Sequence, residues 1–342
     1  MENKYDEMLE TVTKLCAPYK GILAADESTG TIGKRFAQIG VENNLCNRRE
    51  YRNIIFNAPT LNEYISGVIT FEETLFDNNG SNDIRLIQPL LNNDIIVGIK
   101  TDLGLTNIPL LNEKMTKGLD DLNERTKKYY EAGARFAKWR CVIDCNFSDG
   151  LPSQEAIEIN ASILAHYAAI SQENGLVPIV EPEVLINDSS TIEESEFVTK
   201  RVLTEVFYQL NKKGVMLNLM LLKPNMVRCG INCVSPVDNL EIAERTLGVL
   251  RDTVPPSVPG IVFLSGGMSE EQATECLFLM NKSKIHDPWR LSFSYGRALQ
   301  QSALQSWSGK SDNMTDAQNS LIFRAKENSL ASEGKQQKQQ NN

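Results

Sequence analysis

Short apolar runs alternate along the chain with longer stretches whose apolar positions recur every three or four residues. The first pattern reads as strands and the second as amphipathic helices. Met8, Leu9, Val12 and Leu15 share one face and predict a leading helix over 1–17. Strands are expected over 21–26, 67–72, 95–102, 135–143, 176–183, 215–223, 260–265 and 289–294. Helices are expected over 32–39, 47–57, 122–132, 153–173, 191–212, 236–251, 269–280, 298–307 and 316–329. Local signals punctuate them: Gly133 stops a helix, Ser153 caps one, Gly175 lies beyond its end and Pro236 opens another. Strands recurring every 30–45 residues or so, each followed by a helix, form parallel βα units. Apolar runs without alternation suit strands covered on both faces. The expected architecture is therefore α/β, a closed (β/α)8 TIM barrel. An open doubly wound sheet is the alternative, but no G-x-G-x-x-G follows any strand. Residues 1–331 are read as one barrel domain with its leading helix. The Gln/Asn-rich stretch 332–342 is read as a disordered tail.

Composition narrows the function classes. Of 342 residues, 41% are hydrophobic, enough for a sizeable core. A net charge of −9 argues against nucleic-acid binding, so any anion site must rest on local cations. The seven cysteines are odd in number and scattered, which suits reduced thiols. Cys141/Cys145 and Cys229/Cys233 invite a metal reading, but the two histidines, His166 and His286, lie beside neither pair. No metal and no cofactor is expected. With no signal core and no long apolar stretch, the expectation is a cytoplasmic protein without membrane insertion.

The chemistry is concentrated at the expected strand ends, where barrel enzymes keep their active sites. Lys223 closes an apolar run and is followed by Pro224, which cannot continue the ladder. A lysine among apolar neighbours loses solvation of its charged form, which favours the free amine that attacks a carbonyl to form a Schiff base. The bland reading is a strand-end lysine reaching solvent along its stem. Other ends carry Asp26, Glu72, Lys100 with Asp102, Lys138 with Arg140, Glu181 with Glu183, Ser265, and Ser294 near Arg297. Residues two apart share a strand face, so Lys138 and Arg140 point together, away from Trp139. Lys138 is expected close to Lys223, Glu181 or Glu183 as proton carriers, and Asp26 as acceptor from a substrate hydroxyl. Lys100, Arg140, Arg35, Arg48 and Arg297 are cations suited to anionic substrate ends. Ser265-Gly266-Gly267 before a helix, and Ser294-Tyr295-Gly296-Arg297, read as phosphate cradles after strands seven and eight.

These motifs resemble a known family. Gly21–Gly30 (GILAADESTG), Phe136–Arg140 (FAKWR), Ile179–Glu183 (IVEPE), Leu221–Met226 (LLKPNM), Phe263–Gly267 (FLSGG) and Phe293–Arg297 (FSYGR) are similar to class I fructose-bisphosphate aldolase. The resemblance runs from about Tyr19 to Leu330. It implies a (β/α)8 barrel, usually a homotetramer, that reversibly cleaves fructose 1,6-bisphosphate to dihydroxyacetone phosphate and glyceraldehyde 3-phosphate without metal. By matching motif it implies Lys223 as the Schiff-base lysine, Glu181 as its acid and base, and Glu183 in the same network. Asp26 handles the C4 hydroxyl, and Lys138 and Arg140 lie near the scissile bond. Ser265, Gly266, Gly267, Ser294, Gly296 and Arg297 would hold the C1 phosphate, and Ser28, Thr31, Arg35 and Lys100 the other. A cytoskeletal partner is a further implication of the resemblance.

The chain departs from the family pattern at Leu217-Asn218-Leu219-Met220, where Leu-Glu-Gly-Thr is usual, at Met268, where glutamine is usual, and over 106–118. The first departure is expected to reshape the interior beside Lys223. No tyrosine follows Tyr295, whereas the family commonly carries a terminal tyrosine that favours the bisphosphate. Two alternatives therefore stand beside the aldolase reading. One is a Schiff-base aldolase preferring fructose 1-phosphate or sedoheptulose 1,7-bisphosphate, and the other a scaffold with impaired turnover.

Overall fold

The computed structural model describes residues 2–78, 84–283 and 287–336, with His286 and residues 337–342 of the expected tail outside them. The barrel strands are β1 (Gly21–Ala25), β2 (Ile65–Thr70), β3 (Ile96–Lys100), β4 (Phe136–Cys145), β5 (Val177–Ile186), β6 (Leu221–Leu222), β7 (Gly260–Phe263) and β8 (Arg290–Tyr295). Neighbours in the chain are neighbours in the sheet, all parallel. β8 returns to β1 with Ile22 opposite Ser294, and the ring closes. This is the expected (β/α)8 barrel.

Two apolar layers hold it. The strand backs pack against the outer helices, with Trp139 of β4 facing Tyr167 of the helix Gln154–Glu173 at 5.4 Å between ring centroids. The barrel interior at the amino ends of the strands is filled by Ile22, Ile69, Phe136, Val177, Ile179, Leu219, Leu221 and Val262. Met8, Val12 and Leu15 of the helix Glu2–Leu15 join that cluster and seal the floor. Gly98 makes room for the Phe136 ring, since a Cβ there would stand 2.2 Å from it. Burial of each such side chain contributes about 1.5–3 kcal/mol.

Several elements differ from the sequence expectation. The strand expected over 215–223 is a 3-10 turn, Leu217–Leu219, followed by only Leu221–Leu222. The Gln172 side chain takes the backbone of this segment out of the ladder: its Nε2 donates to Met216 O at 2.9 Å and Leu219 O at 3.2 Å, and its Oε1 accepts from Met216 N at 3.0 Å. The helix expected from Pro236 starts at Asn239 instead, because Asp238 caps it by accepting from Glu241 N at 2.9 Å. Glu72 begins the short helix Glu72–Phe76 rather than ending β2. The divergent stretch after β3 forms a two-stranded hairpin, Leu105–Asn107 with Lys114–Thr116. It is pinned over β4, with Asn160 Nδ2 on Lys114 O and Thr116 Oγ1 on Arg140 O, both 2.9 Å. The first residues of the expected tail are also held: Glu333 pairs with Arg290 and accepts from Tyr19 N. Among the described residues no helix is long and apolar enough to cross a membrane.

Candidate active site

The carboxyl ends of the strands open into a cavity of about 400 Å³. β4 and β5 run side by side, with Arg140 opposite Glu181 and Val142 opposite Glu183. Alternation turns Lys138 and Arg140 inward and Trp139 outward, as the spacing predicts. β6 delivers Lys223, whose N–H makes one more ladder bond, to Val180 O at 2.8 Å. Pro224 then ends the pairing, and the next residue, Asn225, ties the turn to β5 by accepting from Val184 N at 2.9 Å. Lys223 is 4% exposed, so it does not escape to solvent along its stem.

The buried charges form one chain. Lys223 Nζ lies 3.3 Å from Glu181 Oε1, and Lys138 Nζ lies 3.4 Å from Glu181 Oε2 and 2.7 Å from Asp26 Oδ2. The 3.4 Å approach is not aligned as a hydrogen bond, which leaves Glu181 Oε2 buried without a hydrogen-bond partner among the described residues. Lys138 thus faces Lys223 with its charge already engaged by Asp26 and Glu181, rather than as a bare cation. Burial alone would push the Asp26 carboxyl up, but Lys138, helped by Lys223 and Lys100, holds it well below the carboxylate range. Burial likewise opposes charge on Lys138, and Asp26 with Glu181 overcome it and raise its pKa above the ordinary lysine value. Both members of this pair are ionised at neutral pH.

Arg140 Nε pairs with Glu183, and Lys100 Nζ lies 2.7 Å from Asp102 Oδ1. Glu27 is buried between Arg35 and Arg52, with Gln300 Nε2 donating to it at 3.1 Å. Burial would raise its pKa, but the two guanidinium groups lower it. Glu27 therefore fixes Arg35 at the rim, where Arg35 Nη2 comes within 3.5 Å of the Cβ position of Gly296.

Two ends of the cavity are suited to anions. At one, Ser265 and Gly266 follow β7, and Ser294, Gly296 and Arg297 follow β8. Ser294 Oγ is buried and makes no hydrogen bond among the described residues, which leaves it available to a ligand in the cavity. At the other, Ser28 caps the helix Thr29–Ala37, its Oγ 3.1 Å from Thr31 Oγ1, and Arg35 follows on the same helix.

The structure brings together Asp26, Ser28, Thr31, Arg35, Lys100, Lys138, Arg140, Glu181, Glu183, Lys223, Ser265, Gly266, Ser294, Gly296 and Arg297 around this one cavity. It does not bring in Arg48. That guanidinium is held in a two-pronged pair by Glu73, 2.8 Å on each oxygen, and lies outside the lining. Gly267 is not in the lining either, and serves the turn through its left-handed backbone, φ 75°. Glu27, Lys34 and Gln38 line the cavity although the sequence reading passed over them. Helical spacing from Thr31 was the available signal for Lys34 and Gln38, and adjacency to Asp26 for Glu27.

Residues 7–342 match the family model described as fructose-bisphosphate aldolase class-I. Fructose-bisphosphate aldolase 1 of Toxoplasma gondii is 52% identical over 330 residues, 96% of this chain and 90% of that protein. The cytosolic fructose-bisphosphate aldolase 5 of Arabidopsis thaliana is 50% identical over 331 residues, 96% and 91%. A solved structure of fructose-bisphosphate aldolase from Plasmodium falciparum, in complex with TRAP and a small molecule inhibitor, matches with a TM-score of 0.95 at 49% identity. That match covers 98% of this chain and 96% of the other.

Proposed function

From the class I fructose-bisphosphate aldolase family, to which this chain belongs, we propose that its cleavage of fructose 1,6-bisphosphate runs through a Schiff base on Lys223. The overall reaction is that of the family: reversible aldol cleavage of the ketose bisphosphate to dihydroxyacetone phosphate and glyceraldehyde 3-phosphate. The observation that carries the residue assignment is the chain Lys223–Glu181–Lys138–Asp26, with contacts of 3.3, 3.4 and 2.7 Å.

In this reading the Lys223 amine adds to the C2 carbonyl. Glu181 takes the amine proton and returns one to the carbinolamine hydroxyl, which leaves as water and gives the iminium. The depressed pKa of Asp26 keeps it in its base form, ready to accept the C4 hydroxyl proton. The C3–C4 bond then breaks. Its electrons pass through C3 into the iminium to give the enamine, and the C4 alkoxide collapses to the aldehyde. Protonation at C3 and hydrolysis release dihydroxyacetone phosphate and the free lysine. Lys138 holds Asp26 and Glu181 in one geometry, and Glu183 orients Arg140. Ser265, Gly266, Ser294, Gly296 and Arg297 take the C1 phosphate, while Ser28, Thr31, Arg35 and Lys100 take the other. Gly267 shapes the first cradle through its backbone.

The assembly is proposed as a homotetramer in the cytoplasm, supported by the family and by relatives designated cytosolic. Residues 1–331 are proposed as its single domain. A protein partner is supported only by the Plasmodium complex with TRAP, and the cytoskeletal partner of the family resemblance belongs to the same class of proposal. The deciding experiment is borohydride reduction in the presence of dihydroxyacetone phosphate. A covalent adduct on the peptide carrying Lys223 is expected, and its survival in Lys223→Ala would overturn the assignment. Comparing kcat/KM for fructose 1,6-bisphosphate, fructose 1-phosphate and sedoheptulose 1,7-bisphosphate ranks the substrates, with the first expected to lead.

A further inference from the structure

The Ser265-Gly266-Gly267 turn is held from behind by a residue outside the cavity lining. Arg228 is half-buried beyond the end of β6. Its Nε donates to Gly266 O at 3.1 Å, and its Nη1 donates to Cys229 O at 2.9 Å. Both partners are backbone carbonyls, and among the described residues no carboxylate forms an ion pair with this guanidinium. The group presses on Gly267: a Cβ there would stand 2.1 Å from Nη2 and 2.7 Å from Cζ. Glu183 Oε1 lies 3.1 Å from the Cβ position of Gly266. Arg228 therefore holds the turn by its bond to Gly266 O.

A guanidinium withdrawn from water and hydrogen-bonded to carbonyls is only partly neutralised, by the more distant Asp188 and Glu183. Burial is the largest influence on this group and lowers its pKa, against the opposing pull of Cys229, Asp188 and Glu183. Its donation to Gly266 O also polarises the Gly266–Gly267 peptide, which makes the N–H of Gly267 a stronger donor. Arg297, on the cavity side, is close enough to act on Arg228 electrostatically. Two cations thus lie near one small-residue turn, which favours a phosphate dianion there.

We propose that Arg228 is a positioning residue for the phosphate cradle: it fixes the Ser265–Gly267 turn and adds a positive charge beside the site where a phosphate monoester would bind. This rests on the reading above that the turn takes the C1 phosphate. It extends that reading to a residue that does not touch the substrate.

The test is steady-state cleavage by the full chain and by Arg228→Gln and Arg228→Lys, with fructose 1,6-bisphosphate and fructose 1-phosphate as substrates. Inorganic phosphate serves as inhibitor at low and high salt. Arg228→Gln is expected to raise KM for both ketoses and the inhibition constant of phosphate together, by about tenfold, with kcat within about twofold. The salt dependence of KM should flatten, since a local cation is gone. Arg228→Lys keeps the charge and should return KM to within about threefold of the parent. Unchanged KM and phosphate inhibition in Arg228→Gln overturns the proposal. So does an equal fall of kcat and melting temperature in both variants without a KM effect, because that is a purely structural role. Ser265→Ala separates the two readings. If it raises KM while Arg228→Gln does not, only the role of Arg228 fails. If it leaves KM unchanged, the cradle itself is misassigned.

Discussion

Asp26 and Lys138 hold each other ionised inside the barrel. A carboxyl held below its ordinary value of 3.8 contributes stability above that pH and loses it as pH falls through the folded value. A lysine raised above 10.5 contributes below that pH and loses its contribution only on passing the folded value. Between about pH 5 and pH 9 the contribution of the pair is therefore constant. Asp26→Asn leaves the buried Lys138 ammonium with Glu181 at 3.4 Å and the more distant Asp102. It should cost about 3–5 kcal/mol of stability and lower kcat by roughly 10²–10⁴. Thermal melts of both proteins across pH should show a constant gap that narrows below about pH 4, and a gap that varies through neutrality would contradict the pairing. Thiol chemistry is equally local. Burial pushes Cys141 and Cys276 up to about 12 and Cys145 to about 11, while Cys46 is exposed. Brief treatment of the native protein with a thiol reagent near pH 8 should label Cys46 ahead of the three buried thiols, as read by peptide mass spectrometry.

The elements show what a sequence can and cannot disclose. The apolar runs predicted eight strands because each is covered on both faces, and two-residue alternation placed Lys138, Arg140, Glu181 and Glu183 on the inner face. β6 escaped that logic. Leu217, Leu219 and Met220 carry the composition of a strand, yet the Gln172 side chain binds the backbone of Met216 and Leu219 from a helix distant in sequence, and no local pattern announces such a bond. Arg48 failed for the same reason: its residue type suits an anion, and only the fold reveals that Glu73 already occupies it. The departure at Leu219 does reach the interior, where this side chain is fully buried in the inner cluster with Ile179 and Leu221. Leu219→Ala should cost about 2–5 kcal/mol in urea denaturation. It should spare Schiff-base trapping, because Lys223 is anchored separately by its bond to Val180 O. Thr191, whose side chain and Glu194 complete a capping box on the helix Ile192–Lys212, gives a smaller scale marker. Thr191→Ala should cost about 1 kcal/mol.

At the scale of the molecule, one polar face lies above an apolar floor. The proposed tetramer predicts a solution mass by light scattering near four times the 38.3 kDa of one chain. A monomer that turns over at full rate would show that the cavity needs no neighbour. Closure of the ring has a further consequence, in time. Ile22 pairs with Ser294, and the roughly 270 residues between them take a ribosome on the order of 14–54 s to make at about 5–20 residues per second. For that whole interval β1 has an unpaired edge, and each newly made strand leaves another. Both are sites where a second nascent chain can pair. The last strand is therefore also the lock: a polypeptide halted before β8 keeps both edges open, and one that passes it loses both at once.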